Sequence, residues 1–287
     1  LPVTPLMARL LRVLWPSREP PAEPSYLKDE LIERPEQALC ATVRELRRAA
    51  RICVQCMDNN AGVMLKGSRR NLRRLYADEA VINEVKIAMN YFLSRLTARR
   101  LTRRQTLFMQ HLHRCMKDIE RIGDHLTALA DISIARLKIP AAIVDESIFR
   151  IWYDLFLAAR QVLIAVEQSL DADAGDFQVR ALDILNARDC YAIMSMDAKA
   201  EFAGAVADKK ITASGGYFFN RYITDLDRLV RHAKNIAFSE RQQDFRIKPE
   251  HFDETASPVS LQAPANLARA ESYLAELQKP GDFLKRG

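Results

Sequence analysis

The chain has 287 residues, of which 48% are apolar, so it is long enough to bury the core of one large domain or two small ones. Lysine and arginine number 43 against 37 acidic residues, and the formal charge of +6 suits a basic surface, nucleic acid or anionic lipid. No run of about eighteen apolar residues occurs, which excludes a membrane span formed by this sequence alone. Most prolines fall before residue 36 or after residue 248, which favours long helices in between.

The thiols and the lack of catalytic motifs restrict the chemistry that the sequence predicts. The five cysteines are odd in number and lie within helical patterns, which indicates a reducing compartment and not a disulfide framework. Cys53 and Cys56 form a Cys-x-x-Cys pair inside a predicted helix. Core packing is favoured for them, because redox and metal pairs normally begin a helix. No Gly-rich phosphate loop or nucleophile–base–acid arrangement stands out, so we expect no enzyme.

The first residues differ in composition from the rest of the chain. Residues 1–15 are apolar with Arg9 and Arg12 inserted, a pattern shared by the cytoplasmic end of a transmembrane helix, a short amphipathic helix and a plain tail. Residues 16–24 are proline-rich and should form an extended, semi-rigid linker. The chain begins with Leu1 and not with methionine, so we expect a fragment or a processed product of a longer protein.

Six long helices are predicted after this linker. Pro35 suits a first helical turn and Gly67 suits a helix end, which sets the bounds of the first helix. The predicted helices span residues 35–66, 69–97, 102–137, 145–170, 176–207 and 214–240. Apolar positions along the third helix repeat in steps of three and four, as in antiparallel bundles that pack like coiled coils. These positions are Phe108, Leu112, Cys115, Ile119, Ile122, Leu126 and Leu129. A loop-like tail follows, with one short helix predicted at residues 264–278.

The two sets of three helices repeat each other in sequence. When Glu120 is set opposite Asp227, His125 falls opposite His232, and the arginines that follow the two acids also match. Two unrelated amphipathic helices share apolar positions by chance, but they do not share arginine and histidine positions, so we infer an internal duplication. The predicted fold is all-α, with two tandem three-helix bundles and short terminal extensions.

Four polar side chains form a candidate metal site. Glu120 and Asp124 lie four residues apart, so both carboxylates project from one helix face, which points away from the apolar seam. Glu79 and Asn83 occupy a comparable face of the second helix, and oxygen ligands from two helices suit a divalent metal or ferric iron. The alternative is a solvated acidic face paired with neighbouring basic side chains. Gly123 costs about 1 kcal/mol in mid-helix relative to alanine, which suggests close approach of another backbone or of a bound species.

Arginines cluster near the two ends of the second helix. The first cluster is Arg69, Arg70, Arg73 and Arg74, and the second is Arg95, Arg99, Arg100, Arg103 and Arg104. A solvated face is the default interpretation, and contact with anionic lipid is the alternative. Nucleic acid is not expected as a partner, because no aromatic residues or known reader motif accompany these arginines.

Residues 118–131 (Asp-Ile-Glu-Arg-Ile-Gly-Asp-His-Leu-Thr-Ala-Leu-Ala-Asp) resemble the third-helix motif of the PhoU family, and residues 226–237 resemble it a second time. The resemblance implies two three-helix repeats, and it implies metal binding through Glu/Asp-x-x-x-Asp pairs on the outer face, as in several members. In the second copy Arg231 stands where the first has Asp124. Arginine cannot ligate a cation and can pair with Asp227, so metal is expected in the first repeat only.

Residues 26–46 resemble the junction in bacterial sodium-dependent phosphate cotransporters, where a PhoU-like domain follows the last membrane segment. The implied segments are a membrane exit and linker at 1–25, the repeats at 26–140 and 141–240, and a tail at 241–287. The implied function is a cytoplasmic domain at the inner membrane that tunes or reports phosphate uptake. Its partners would be its own upstream membrane part, and a protein partner or a second copy. The alternatives are a free-standing PhoU-like adaptor for a transporter or sensor kinase, and a basic helical nucleic-acid binder.

Overall fold

A computed structural model describes residues 24–138, 146–171 and 177–241. These residues form a short 3₁₀ turn at Asp29–Glu33 and six α-helices, with no β-strand among them. The helices are α1 (Pro35–Lys66), α2 (Arg69–Leu96), α3 (Arg103–Leu137), α4 (Glu146–Ser169), α5 (Phe177–Ala207) and α6 (Ala213–Arg241). The prediction of an all-α fold is confirmed, and each predicted helix end lies within one residue of the observed end.

Local sequence signals explain where the first helices begin and end. Pro35 occupies the first position of α1, where its missing N–H costs nothing. Gly67 ends α1 with φ 60°, a left-handed conformation that glycine adopts without strain. The Ser68 side chain accepts a hydrogen bond from the first turn of α2. Thr102 and Gln105 form a reciprocal capping box at the start of α3.

The 3₁₀ turn was not predicted from the sequence. Its Ile32 side chain is buried, and Leu27 and Leu31 pack against the same core. Just before it, the Tyr26 N–H donates a 2.9 Å hydrogen bond to the fully buried carboxylate of Glu45 on α1. The segment that precedes α1 is therefore fixed to the bundle from residue 26 onward.

Four helices form the centre of the bundle and two lie outside it. α1, α3, α4 and α6 pack on one another, whereas α2 packs on α1 and α3, and α5 packs on α4 and α6. One continuous apolar core runs through both sets of three helices. All seven residues of the predicted α3 seam are at most 1% exposed, so the period seen in the sequence is the period of the buried stripe.

The two copies of the repeated helix pack against each other in opposite directions. The His125 ring contacts Asp225 at 3.2 Å, and the His232 ring contacts Asp118 at 2.7 Å. In the sequence alignment of the copies, His125 corresponds to His232 and Asp118 corresponds to Asp225. The two contacts, named here the cross-repeat pairs, are therefore the same interaction made twice around a local two-fold axis. This reciprocity supports the inferred internal duplication.

Several predictions fall outside the described residues. They are the membrane exit and linker at the start of the chain, the boundary near residue 140 and the short helix at residues 264–278. In the part of the chain that the structure describes, no helix combines the length and apolar character that a membrane span needs.

Candidate functional site

The predicted site residues lie on the facing surfaces of α2 and α3. Glu79 and Asn83 are one turn apart on α2, and the Asn83 side chain donates a hydrogen bond to the Glu79 carboxylate. Partial burial raises the pKa of Glu79, and the charges of Asp124 and Glu120 raise it further, while the bond from Asn83 opposes them. The structure thus brings the three carboxylates within electrostatic range of one another.

Gly123 explains how the two helices come so close here. A Cβ atom added to Gly123 would lie 3.3 Å from the Cδ1 atom of Ile82 on α2. The close neighbour is therefore a side chain, and not the backbone or bound species that the sequence suggested. Since Gly123 lies between Glu120 and Asp124, the same close packing sets the distance from these acids to α2.

Basic side chains already pair with both acids of α3. The Lys86 ammonium donates a 2.8 Å hydrogen bond to Oε1 of Glu120, and Arg121 contacts Asp124 at 3.1 Å. The Glu120 side chain is only 13% exposed, so it is far less outward than the sequence analysis expected. It lies in the seam between α2 and α3, whereas Asp124, at 40% exposed, is a surface group.

The donor atoms suit a hard cation, but their present contacts do not leave them free. Three carboxylates and one amide oxygen are ligands that divalent metals and ferric iron accept. Oε2 of Glu120 is buried without a hydrogen-bond partner, and the closest guanidinium atom of Arg121 is 3.8 Å away. However, no group of three or more His, Cys, Asp or Glu side chains within the described ranges is arranged to hold a metal. A cation bound through Oε1 of Glu120 would have to displace the Lys86 ammonium from that oxygen.

The corresponding acid of the second copy is fully satisfied by α5. Asp227 accepts hydrogen bonds from the Tyr191 hydroxyl at 2.8 Å, from the Ser195 hydroxyl at 3.1 Å and from the Lys199 ammonium at 2.7 Å. Asp227 therefore forms its ion pair with Lys199 and not with Arg231, which the sequence analysis named as a possible partner. The spacing of four residues between the three donors on α5 was a signal that sequence reasoning could have used.

The two repeats therefore place different groups around equivalent acids. In the first repeat, the helix face opposite Glu120 carries a second carboxylate, an amide and a lysine. In the second repeat, the face opposite Asp227 carries two hydroxyl groups and a lysine. An acid that accepts three hydrogen bonds from its own chain has little remaining capacity for a ligand. If either repeat binds a cation at this position, the first is the better suited.

The Cys-x-x-Cys pair is part of the core, as the sequence analysis favoured. Cys53 and Cys56 are 2% and 1% exposed, and the Cys53 thiol points at the carbonyl oxygen of Ile119 on α3. Burial raises the pKa of Cys53 to about 12, so the thiol stays protonated and poorly nucleophilic at neutral pH. All five cysteines are free thiols.

Part of the second arginine cluster has a structural role. Arg95 pairs with Asp29 and Arg99 pairs with Glu33, so both arginines hold the 3₁₀ turn against the end of α2. These contacts reduce the positive charge that this end of the bundle offers to a partner. The first cluster, at the start of α2, lies on the exposed surface.

The fold and the two acid sites define a class of protein, an all-helical bundle of two related three-helix units. In the second unit Asp227 accepts three hydrogen bonds, whereas in the first unit Oε2 of Glu120 has no hydrogen-bond partner. No model of a known protein family matches the chain. No curated protein matches it either. The resemblance to the PhoU family therefore rests on the motif residues themselves.

Proposed function

We propose that this chain is a PhoU-like regulatory domain that acts at the cytoplasmic face of a bacterial inner membrane and tunes or reports sodium-dependent phosphate uptake. The observation that carries the proposal is the repeated motif, whose two copies pack together through the cross-repeat pairs. The sequence at residues 26–46 adds the link to a transporter, because it resembles the junction between a membrane part and a PhoU-like domain. The action is proposed to be binding and not catalysis.

The proposed ligand position is the acidic face of the first repeat. Glu79, Glu120 and Asp124 share one electrostatic environment: partial burial is the largest cause of the raised pKa of Glu79, and the charges of the other two acids add to the rise. A divalent cation or ferric iron is the proposed occupant, with Asn83 supplying an amide oxygen. Bound there, the ion would neutralise the acidic face, and Lys86 would be displaced from Glu120.

Calorimetric titration of the purified full chain with Mn²⁺ or Fe³⁺ tests this ligand. We expect one site per chain, lost in the Glu120→Ala, Asp124→Ala variant. The matched control is Asp227→Ala, which removes the equivalent acid of the second repeat and should leave binding unchanged. Two equivalent sites, or binding that survives in the double variant, would contradict the assignment to the first repeat.

The transporter assignment is tested separately in cells. The first requirement is that the full-length gene encodes membrane spans upstream of Leu1, and the assignment fails without them. With such spans present, phosphate uptake should change when Glu120 and Asp124 are replaced by their amides, while Asp189→Asn on the exposed part of α5 should have no effect. If phosphate uptake is identical in the unmodified protein, the double amide variant and the Asp189→Asn control, the acidic face does not regulate transport.

A free-standing PhoU-like adaptor would give a different result. It would bind a transporter or a sensor kinase in trans, without membrane spans in its own gene. Co-purification with a separately expressed membrane protein distinguishes this second form of the proposal from the first.

A further inference from the structure

The cross-repeat pairs bring two imidazole rings together at the seam between α3 and α6. The ring centres of His125 and His232 are 5.7 Å apart, and the two ring planes differ by 26°. The side chains are 17% and 23% exposed, so both rings lie at the solvent edge of the seam and not in the core. Because each repeat supplies one of the two histidines, a ligand held by both would join the repeats.

The aspartates of the cross-repeat pairs determine which nitrogen of each ring is free. Nδ1 of His125 lies 3.2 Å from Oδ1 of Asp225, and Nδ1 of His232 lies 2.7 Å from Oδ1 of Asp118. An ionised carboxylate only accepts hydrogen bonds, so Nδ1 carries the proton of each neutral ring and Nε2 keeps a lone pair. Neither Nε2 atom makes a hydrogen bond within the described chain, and neither is buried. Both lone pairs are therefore open to a ligand from solvent.

Further contacts on α6 hold the two aspartates in place behind the rings. Asn235 donates a 3.3 Å hydrogen bond to Asp118. Arg221 pairs with Oδ2 of Asp225 at 3.3 Å, which leaves Oδ1 of this carboxylate to the imidazole. A metal-binding histidine normally has a carboxylate on its second nitrogen in this way, because that bond fixes the orientation of the ring and raises the basicity of the ligating nitrogen. The pair therefore has the support that metal ligands need.

We propose that His125 and His232 together bind one divalent transition metal ion, such as Zn²⁺, through their Nε2 atoms. The zinc–nitrogen distance is about 2.0 Å, so two imidazoles on one tetrahedral ion have ring centres roughly 5.2 Å apart. The observed distance of 5.7 Å is close to this value, and a small movement of the rings closes the difference. Water completes the coordination, because no group of three or more His, Cys, Asp or Glu side chains in the described ranges is arranged to hold a metal.

This ion differs in kind from the one proposed for the acidic face of the first repeat. Imidazole nitrogen suits Zn²⁺, Ni²⁺ and Cu²⁺, whereas carboxylate and amide oxygens suit harder ions such as Mn²⁺. The position also differs, because the acidic face lies between α2 and α3 inside one repeat. An ion on the histidine pair would instead hold the two repeats together at the seam between α3 and α6.

Calorimetric titration of the full chain with Zn²⁺ at neutral pH tests the site. Every protein in the series carries Cys190→Ser, because the exposed thiol of Cys190 is itself a zinc ligand. The test variants are His125→Asn and His232→Asn, made separately. The matched control is His113→Asn, which removes a partly exposed histidine on the side of α3 that faces Asn90 of α2. Circular dichroism shows which variants keep the bundle, and one folded test variant is enough because the site needs both ligands.

We expect one Zn²⁺ per chain with a dissociation constant below about 100 µM, and binding at least about tenfold weaker in each test variant. The control and the Glu120→Ala, Asp124→Ala variant should bind Zn²⁺ as before, which separates this site from the acidic face. Three results would overturn the proposal. They are unchanged binding in a folded test variant, loss of binding in the control or in the acidic-face variant, and no saturable binding by the chain that keeps all its histidines.

Discussion

Replacing Glu240 by glutamine should change how the stability of the protein depends on pH. The Glu240 side chain is fully buried where α4 and α6 meet, and only one of its oxygens has a hydrogen-bond partner, the Ser169 hydroxyl. Burial raises the pKa of this carboxyl from 4.5 to about 8, although Ser169 and the charge of Arg180 on α5 oppose the shift. Burial raises the pKa of the Cys115 thiol on α3, and Glu240 adds to this rise when it is ionised.

The direction of the effect follows from proton binding. Between pH 4.5 and pH 8 the folded protein keeps the Glu240 proton, whereas the unfolded chain releases it. The free energy of unfolding therefore falls as the pH rises, by about 1.4 kcal/mol per pH unit. From pH 5 to pH 8 this one group removes up to roughly 4 kcal/mol of stability. Glutamine can accept the same hydrogen bond from Ser169 but does not titrate.

Urea unfolding followed by circular dichroism at pH 5, 6, 7 and 8 measures the effect. The Glu240→Gln variant should gain stability relative to the unmodified chain as the pH rises, by up to roughly 4 kcal/mol across this range. His111 has the opposite dependence below pH 6.5, because burial lowers its pKa to about 3. This dependence is present in both proteins and cancels in their difference. Glu201→Gln, at an exposed position of α5, is the control. A difference that stays constant from pH 5 to pH 8 would refute the reasoning.

Three further substitutions test the packing between helices, each by urea unfolding. Gly123→Ala should stabilise the protein by up to about 1 kcal/mol through helix propensity, but only in an Ile82→Val background, because the Ile82 Cδ1 methyl group opposes the new Cβ atom. Additive effects of the two substitutions in a double-mutant cycle would contradict this. Asp225→Asn, at a buried position of a cross-repeat pair, should lower the free energy of unfolding by about 1–3 kcal/mol. Asp124→Asn, at the surface, should lower it by under about 0.5 kcal/mol, and equal losses in the two variants would argue that the cross-repeat pair is not stabilising. Tyr191→Phe should cost about 1 kcal/mol by removing one donor from Asp227, and an unchanged midpoint would show that the bond is not needed.

Helix positions could be predicted from the sequence because each depends on local signals. Pro35, Gly67 and the three-and-four spacing of the α3 seam act over one or two turns, and the structure follows them to within a residue. The 3₁₀ turn carries no such period. Its order depends on contacts with α1 and α2 that lie far away in the sequence.

Side-chain pairing in the candidate site could be predicted only in part. The four site residues lie on the facing surfaces of α2 and α3, as helical periodicity indicated, but Glu120 lies in the seam between these helices and not on the outward face that was expected. Their partners were not found, since Lys86 and Glu120 lie 34 positions apart and only the folded bundle brings them together. The expectation for Asp227 failed for the same reason: Arg231 is near in sequence, but Lys199 on α5 contacts the acid.

The cross-repeat pairs have a consequence for the ancestry of the chain. Asp118 meets His232, and His125 is the residue of the first copy that corresponds to His232, so one copy contains both halves of the interaction. Two identical three-helix units could meet face to face across a true two-fold axis and make the same contact twice, as an isologous homodimer. Fusion of two such genes would turn a concentration-dependent association into a permanent one. Each half would then be free to diverge, as the acids at positions 120 and 227 have done.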